Sequence, residues 1–275
     1  MKQGKVRNIY DEGSTLLLVS SDRLSAFDRA ICSIPEKGAV LNQLSAWWFD
    51  QTHSIIANHL LEVTAPNAMR VKKCHVFPIE VIVRGYITGS TNTSLWTLYQ
   101  QGQRSFWGTT LPEGLVKNQR LPQAILTPTT KAEDHDCPLK PEDLAHIPKL
   151  TPALWQHIEE AALRLYHFGA EVALQKGMIL ADTKYEFGLD SEGALCLVDE
   201  LHTPDSSRYW ELADWELALQ EEREVASYDK EMIRLWYRQQ GDPYQMVDLP
   251  APPPALIQAV HDRYLELYEK ITGAE

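Results

Sequence analysis

No apolar stretch in this sequence approaches the ~18 residues that a membrane-spanning helix needs. Runs such as Leu16 to Val19 stop far short, and mean hydropathy is −0.31. Nothing apolar follows Met1-Lys2-Gln3, so no secretory leader is expected. Cysteine is scarce: Cys32, Cys74, Cys137 and Cys196 lie far apart without a C-x-x-C pair. That excludes a disulfide framework and a cysteine zinc site, and reads as reduced, buried thiols of a cytoplasmic protein. The nine histidines include no pair at helical ligand spacing, and H-E-x-x-H, G-x-x-x-x-G-K-[ST] and G-x-G-x-x-G are all missing. Positive charge is short too: 26 Lys and Arg face 38 Asp and Glu, for a net charge of −12. Nucleic acid and acidic membrane surfaces are therefore not expected as partners, although a local basic pocket for a small anion stays open. No repeat recurs at solenoid periods.

What is present is ordinary globular chemistry. At 275 residues the chain holds roughly two domains, or one with lobes, and buries a sizeable core without staples. Two short runs around Asp11-Glu12-Gly13-Ser14 predict a hairpin over Lys5 to Ser20. Leu41, Leu44, Trp48, Ile55, Ile56 and Leu60 recur at helical spacing, which predicts a helix over 40–61 with Trp47 and Trp48 as packing residues. Val76 to Val83 reads as a strand running into Arg84-Gly85-Tyr86-Ile87-Thr88-Gly89-Ser90, whose glycines permit a tight turn. Gln100 to Leu150 is the least regular part. Thr151-Pro152 opens a strong helix that Gly177 ends. Two strands follow, joined through Asp190-Ser191-Glu192-Gly193. A short helix is expected around 229–238, and a last one after Pro252-Pro253-Pro254.

The chemistry concentrates in Asp182-Thr183-Lys184-Tyr185-Glu186-Phe187-Gly188, followed by Asp199-Glu200. Alternation puts Asp182, Lys184 and Glu186 on one strand face. The other face would carry Ile179, Ala181, Tyr185, Phe187, Cys196 and Val198. Pairing Leu189 with Ala194 would bring Asp199 opposite Lys184. Carboxylates beside a lysine suit Mg²⁺ and a nucleotide phosphate, or simply a solvated, salt-bridged hairpin. Arg84 with Thr88-Gly89-Ser90 offers an anion fork and donors, or a surface ion pair. Thr203-Pro204-Asp205-Ser206-Ser207-Arg208 reads as an anion pocket or as a capped turn. Ser21 to Asp28 is equally open. Lys5 and Arg7 would share one face of a strand.

Taken together these stretches resemble the SAICAR synthetases, yeast-type branch. Val76 to Ser90 is similar to one signature of that family and Leu180 to Gly188 to the other. Gly4 to Tyr10, Ser21 to Asp28, Thr127 to Glu133, Asp199 to Arg208 and Ser227 to Lys230 follow in family order. Three residues precede Gly4, fewer than members of that branch usually carry. The resemblance implies an α+β, two-lobed fold: a β-rich, protein-kinase-like N-terminal lobe (1–84) that binds ATP, and a larger α+β lobe (85–275) with the metal, ribotide and aspartate sites. It implies an ATP-dependent ligase of purine biosynthesis that joins L-aspartate to the carboxylate of a phosphoribosyl aminoimidazole (CAIR) through an acyl phosphate, with ATP and Mg²⁺. By motif position Lys5, Val6, Arg7, Lys184 and Glu186 would hold ATP, and Glu186 and Asp199 the metal, supported by Asp182. Lys184, Asp182 and Arg208 would be catalytic. Arg84, Ser90, Asp205, Ser207, Arg208, Lys131, Asp28 and Ser25 would bind substrate. Thr127 to Glu133, with His135 and Asp136, would form a cover. Two competing readings stay on the table: a kinase-like phosphotransferase, although H-R-D and D-F-G are missing, and a non-catalytic nucleotide module. Monomer and homo-oligomer are both open.

Overall fold

The structure, a computed structural model, describes residues 1–27, 29–131 and 137–274. The chain begins with β1 (Lys2–Gln3), β2 (Arg7–Asp11) and β3 (Thr15–Ser20). The expected hairpin turn is closed by the Asp11 carboxylate, which accepts the Gly13 N–H at 2.9 Å. A second hairpin, β4 (Arg23–Ala26) and β5 (Arg29–Ser33), leads to α1 (Lys37–Gln51). Strands β6 (Leu60–Ala65) and β7 (Ala68–Lys72) then complete an antiparallel sheet of order β1-β2-β3-β7-β6.

The helix expected over 40–61 stops at Gln51. Asn58 explains the difference. Its amide donates to the Phe49 carbonyl (3.1 Å), and its side-chain oxygen accepts the Leu60 N–H (3.0 Å). One residue thus caps an orphan helix carbonyl and starts the next strand. Ile55 and Ile56 fit the helical period but pack on the core from the intervening turn.

The second sheet is built on one long strand. β8 (His75–Val76) and β9 (Ile79–Tyr86) are followed by α2 (Leu95–Gln100), the small hairpin β10 (Ser105–Phe106) and β11 (Thr109–Thr110), then β12 (Arg120–Leu126) and β13 (Thr129–Thr130). So the irregular-looking 100–150 stretch holds short strands, and a 3-10 turn at Pro141–His146. Next come α3 (Pro152–Gln175), β14 (Met178–Leu189), β15 (Leu195–Val198) and β16 (Ser207–Glu211). The Thr151 side chain accepts the Leu154 N–H (3.1 Å), the N-cap that the Thr-Pro pair predicts. β14 pairs with β9, β16, β15 and β8 along its length. Residues 84 and 85, between which the sequence puts the lobe boundary, are neighbours within β9. The chain closes with α4 (Leu212–Gln220), α5 (Glu231–Gln240) and α6 (Pro254–Thr272). One core cluster takes side chains from both sheets and α3, among them Leu18, Met69, Phe77, Tyr185 and Leu165. A second ties α1 to α5 and α6 through Leu41, Ile233, Tyr237 and Tyr264.

Gly85 is no turn residue: it is buried inside β9, and the turn is made by Gly89, whose φ is 110°. Gly85 is where α3 crosses the strand, because a Cβ there would overlap the Tyr166 hydroxyl. That hydroxyl is pinned to the Leu180 carbonyl at 2.9 Å and cannot swing aside. Gly85→Ala is therefore expected to cost about 1–3 kcal/mol by overpacking. A thermal melt checks this, and an unchanged midpoint contradicts it.

Candidate active site

Two neighbouring strands carry the charged row. On β9 the alternation turns Glu80, Ile82 and Arg84 to one side while Ile79, Val81 and Val83 go to the core. β14 runs antiparallel, with Asp182 opposite Arg84 and Lys184 opposite Ile82. Lys184 Nζ lies 2.8 Å from Glu80 and 3.1 Å from Glu186, so charges alternate in sign across the pair.

Two details differ from the sequence reading. The register of β14 shifts between Leu180 and Asp182 against β16. That bulge reverses the alternation, so Met178 and Leu180 share the main core with Tyr185 and Phe187, while Ile179 and Ala181 join a separate cluster with Trp210. The hairpin pairs Leu189 with Leu195, one residue from the expected register, because Asp190 closes its turn onto Ala194. Asp199 still comes to Lys184. β15 ends at Val198, and Asp199 takes a left-handed conformation (φ 70°) that re-aims its carboxylate.

At one end of the row, Arg7 from the start of β2 ion-pairs with Asp199 and, at 2.9 Å, with Glu200. Lys131 reaches Glu186 at 2.5 Å. Burial works against the Asp199 charge, but Arg7, Lys184 and Lys131 outweigh it and hold the carboxyl well below the usual range. Burial likewise opposes a charged Lys184, yet Glu186, Glu80 and Asp199 raise it well above an ordinary lysine. Lys5 is exposed and precedes β2, so it shares no strand with Arg7; its carbonyl accepts Arg23 Nε (3.2 Å). The Val6 carbonyl accepts both the N–H (2.9 Å) and the hydroxyl (2.6 Å) of Ser21.

At the other end Asp182 is clasped from both sides. Arg84 of β9 lies 3.2 Å from its Oδ2, and Arg208 of β16 pairs with the same oxygen. Arg84 Nε also donates to the Thr127 hydroxyl (2.7 Å). Arg208 lies 3.8 Å from both Asp229 and Glu231. Arg208 Nε is buried 3.8 Å from Asp229 with no hydrogen-bond partner among the described residues, which leaves room for a closer acceptor, and the Ser90 hydroxyl faces Glu231. Ser207, expected to bind substrate, is turned the other way: its hydroxyl donates to Thr183 (2.8 Å) behind the sheet, because adjacent strand residues face opposite sides. Asp205 is buried with Lys37 (2.7 Å) and accepts the Tyr264 hydroxyl (3.0 Å). Burial raises its carboxyl, but Lys37 and Lys230 bring it down to about 2. Thr203 caps the same turn by accepting the Asp205 and Ser206 N–H groups, as the turn reading of 203–208 expects. Ser25 is half-buried in β4. Asp28, Glu133, His135 and Asp136 lie outside the described residues. A cavity of about 200 Å³ beside Thr15, Lys72 and Asp190 lies away from this row and carries none of its charge clusters.

The sequence reading gave no role to Lys37 or Glu231, named Glu200 only as the neighbour of Asp199, and held Glu80 and Asp229 only inside longer matched stretches. Glu80 was findable, since Glu80-x-Ile82-x-Arg84 is a polar stripe on a core strand. Lys37 had no local signal, because a lysine opening a helix reads as solvated until α6 and Asp205 close over it. The assembled site is a strip of paired charges with an arginine clasp at one end and a lysine–carboxylate cluster at the other. It suits two anionic ligands laid end to end.

The SAICAR synthetase family model matches residues 1–250. A phosphoribosylaminoimidazole-succinocarboxamide synthase of Legionella pneumophila (strain Lens) is 51% identical over 271 residues, covering 98% of this chain and 87% of that one. The SAICAR synthase of Saccharomyces cerevisiae, solved in complex with SAICAR, aligns with a TM-score of 0.83 at 34% identity over 100% of this chain and 94% of its own. A type-2 SAICAR synthetase solved with ADP aligns at 0.74 and 26%, over 100% and 98% of the two chains. The charged strip thus sits on a shared fold, in a sequence matched almost from end to end, and the chain belongs to the SAICAR synthetase family.

Proposed function

We propose that this chain condenses L-aspartate with the carboxylate of CAIR, consuming ATP and releasing SAICAR, ADP and phosphate. The observation that carries this reading is the two-ended row on β14. Its arginine clasp and its lysine–carboxylate cluster are about 7 Å apart along the strand, two residues from Asp182 to Lys184. A phosphorylated ribotide at Arg84, Arg208, Ser90 and Asp205 would then present its imidazole carboxylate to a triphosphate at Arg7 and Lys184, with Lys5 and Val6 alongside. Lys131, beside Glu186, would steady the transferred group. On this reading residues 1–84 form the nucleotide lobe, and Lys184 and Glu186 reach in from 85–275.

The chemistry needs little covalent help from the protein. A carboxylate resists attack because an amine would add charge to an anion. Transfer of the γ-phosphoryl group makes an acyl phosphate with a good leaving group. Catalysis is then positioning and charge stabilisation, which fixed guanidinium and ammonium groups provide.

The donor set around Lys184 and Arg7 is all oxygen: Glu80, Glu186 and Asp199, with Glu200 on Arg7. Among the described residues no three His, Cys, Asp or Glu side chains gather closely enough to hold a metal by themselves. Mg²⁺ needs only one or two carboxylates besides phosphate oxygens and water, so the set fits, with Glu186 and Asp199 as the holders. Bound there, Mg²⁺ would neutralise charge on the β- and γ-phosphates. All four cysteines are free thiols, which supports a reducing, cytoplasmic setting; no helix of the described residues is long and apolar enough to cross a membrane.

The test is phosphate release from ATP and Mg²⁺ with each substrate omitted in turn. Sustained release is expected only when both CAIR and aspartate are present. Sustained turnover with CAIR alone would favour the phosphotransferase.

A further inference from the structure

The four cysteines lie far apart in the sequence, yet the fold brings two of them together. β8 and β15 flank β14 on opposite sides: Val76 and Cys196 both pair with Gly188, and His75 and Leu195 both pair with Leu189. Residues directly opposite one another share a face of a sheet, and so do residues two apart on one strand. Cys196, Gly188 and Asp190 therefore share a face, and Cys74, one residue before His75, comes to the same side. Gly188 has no side chain to stand between the two thiols. A Cβ there would lie 2.8 Å from the His75 carbonyl oxygen, so the glycine is also what lets β8 close in. The Cys74 and Cys196 thiols meet as hydrogen-bond partners. Asp190, which closes the hairpin turn, stands 3.9 Å from Cys196 Sγ, and Lys72 Nζ lies 3.5 Å from the same carboxylate. Cys196 is buried and Cys74 half-buried, and the cavity of about 200 Å³ shares Lys72 and Asp190 with the pair.

We propose that Cys74 and Cys196 form a reversible disulfide that switches turnover off through the Asp199 end of the charged strip; only the activity that is switched rests on the ligase reading above. Cys74, the less buried sulfur, is the point of entry. It attacks a small-molecule disulfide such as glutathione disulfide, its proton passing to Cys196, and displaces one thiolate. Cys196 then attacks the Cys74 sulfur of the mixed disulfide and displaces the second. Two protein S–H bonds and one small-molecule S–S bond become one protein S–S bond and two small-molecule S–H bonds. The protein loses the two electrons that the small disulfide gains. The hydrogen bond from Cys74, helped by Lys72, brings the Cys196 thiol below its ordinary value against burial and Asp190, and the same bond raises Cys74. Cys196 is thus the member of the pair that accepts the proton. Closing the bond brings the sulfurs from hydrogen-bond contact to about 2.05 Å. Cys74 sits in the link between β7 and β8, where the chain passes from the first sheet to the second. Cys196 lies on β15, whose end hands over to Asp199 and its left-handed backbone. Drawing the link and β15 together therefore displaces the Asp199 carboxylate and its ion pair with Arg7.

The test holds wild-type protein in glutathione buffers of rising disulfide fraction, then alkylates, digests and maps it by mass spectrometry. The Cys74 and Cys196 peptides should appear joined. SAICAR formation should fall at least roughly 10-fold in step with them, as a displaced catalytic group predicts, and return on addition of dithiothreitol. Cys137 is exposed and takes up glutathione on its own account, so the titration is repeated on Cys32→Ser/Cys137→Ser, which should respond like the wild type. Cys74→Ser should keep the turnover of the reduced protein and lose the response, with Cys74→Ala in its place should the serine variant not fold. The absence of a joined peptide, a joined peptide with unchanged turnover, or an inhibition that survives the loss of Cys74 overturns the inference. The peptide map reads the disulfide without any activity. Reduced wild-type protein that forms no SAICAR from ATP, Mg²⁺, CAIR and aspartate therefore overturns the ligase reading, while the map still decides the disulfide.

Discussion

Asp182→Asn lowers the free energy of unfolding by about 3–5 kcal/mol and raises the KM for CAIR roughly 10- to 100-fold. Asp182 is 5% exposed and its Oδ2 serves two guanidiniums. Arg208 keeps Asp229 and Glu231 when that oxygen loses its charge, whereas among the described residues the Arg84 side chain keeps only the Thr127 hydroxyl. Burial and the Arg208 charge already lower the Arg84 pKa, with Asp182 opposing them. Removing the acid strands a buried cation beside a second one. The urea midpoint should fall with the m-value unchanged, since the surface exposed on unfolding is the same. Inorganic phosphate should recover more stability in the variant than in the wild type, because an anion bound to the native state alone stabilises it by mass action. A variant with the wild-type midpoint would show that the clasp does not depend on Asp182.

The reach of the sequence follows from how local each signal is. The hairpin at Asp11–Ser14, the Thr151 cap and the row Asp182, Lys184, Glu186 are local patterns, and each is found where the pattern predicts. The failures are tertiary. Asn58 ends α1 by bonding backward to Phe49, a contact that no helical period encodes. The bulge beside Asp182 reverses the faces of Ile179 and Ala181, and depends on the pairing with β16. The register of the 190–193 hairpin is off by one, which should have moved Asp199 away; its left-handed backbone compensates. Family motifs located Arg84 and Arg208, but not Lys37, whose partner is 168 residues away. Ser207 stands next to Arg208 in the chain and on the opposite face in space.

Acid should begin to destabilise this protein above the carboxylate range, and two buried histidines are the reason: His59, pushed down to about 4 by burial, and above all His202. Its ring is fully buried, edge-on to Trp48 at 4.7 Å, with Nε2 2.6 Å from the Tyr185 hydroxyl. Burial alone pushes its pKa down to about 3. The unfolded chain takes up a proton near the ordinary value of ~6.5, while the folded chain does not until about pH 3. Between those values the unfolded state binds more protons, so stability is lost as pH falls. By pH 5 the loss from this one ring is on the order of 2 kcal/mol, from ~1.4 kcal/mol per pH unit. Asp205, depressed to about 2, pulls the same way, but only below the ordinary carboxylate range. His202 has a positive φ of 51°, so asparagine is the replacement that tolerates its backbone. His202→Asn should be weaker at pH 7, having lost the packing on Trp48. Its stability should nevertheless change less between pH 7 and pH 5, by the equivalent of about one proton. Urea melts of both proteins at the two pH values measure the difference, and parallel losses in the two would clear His202 of the effect.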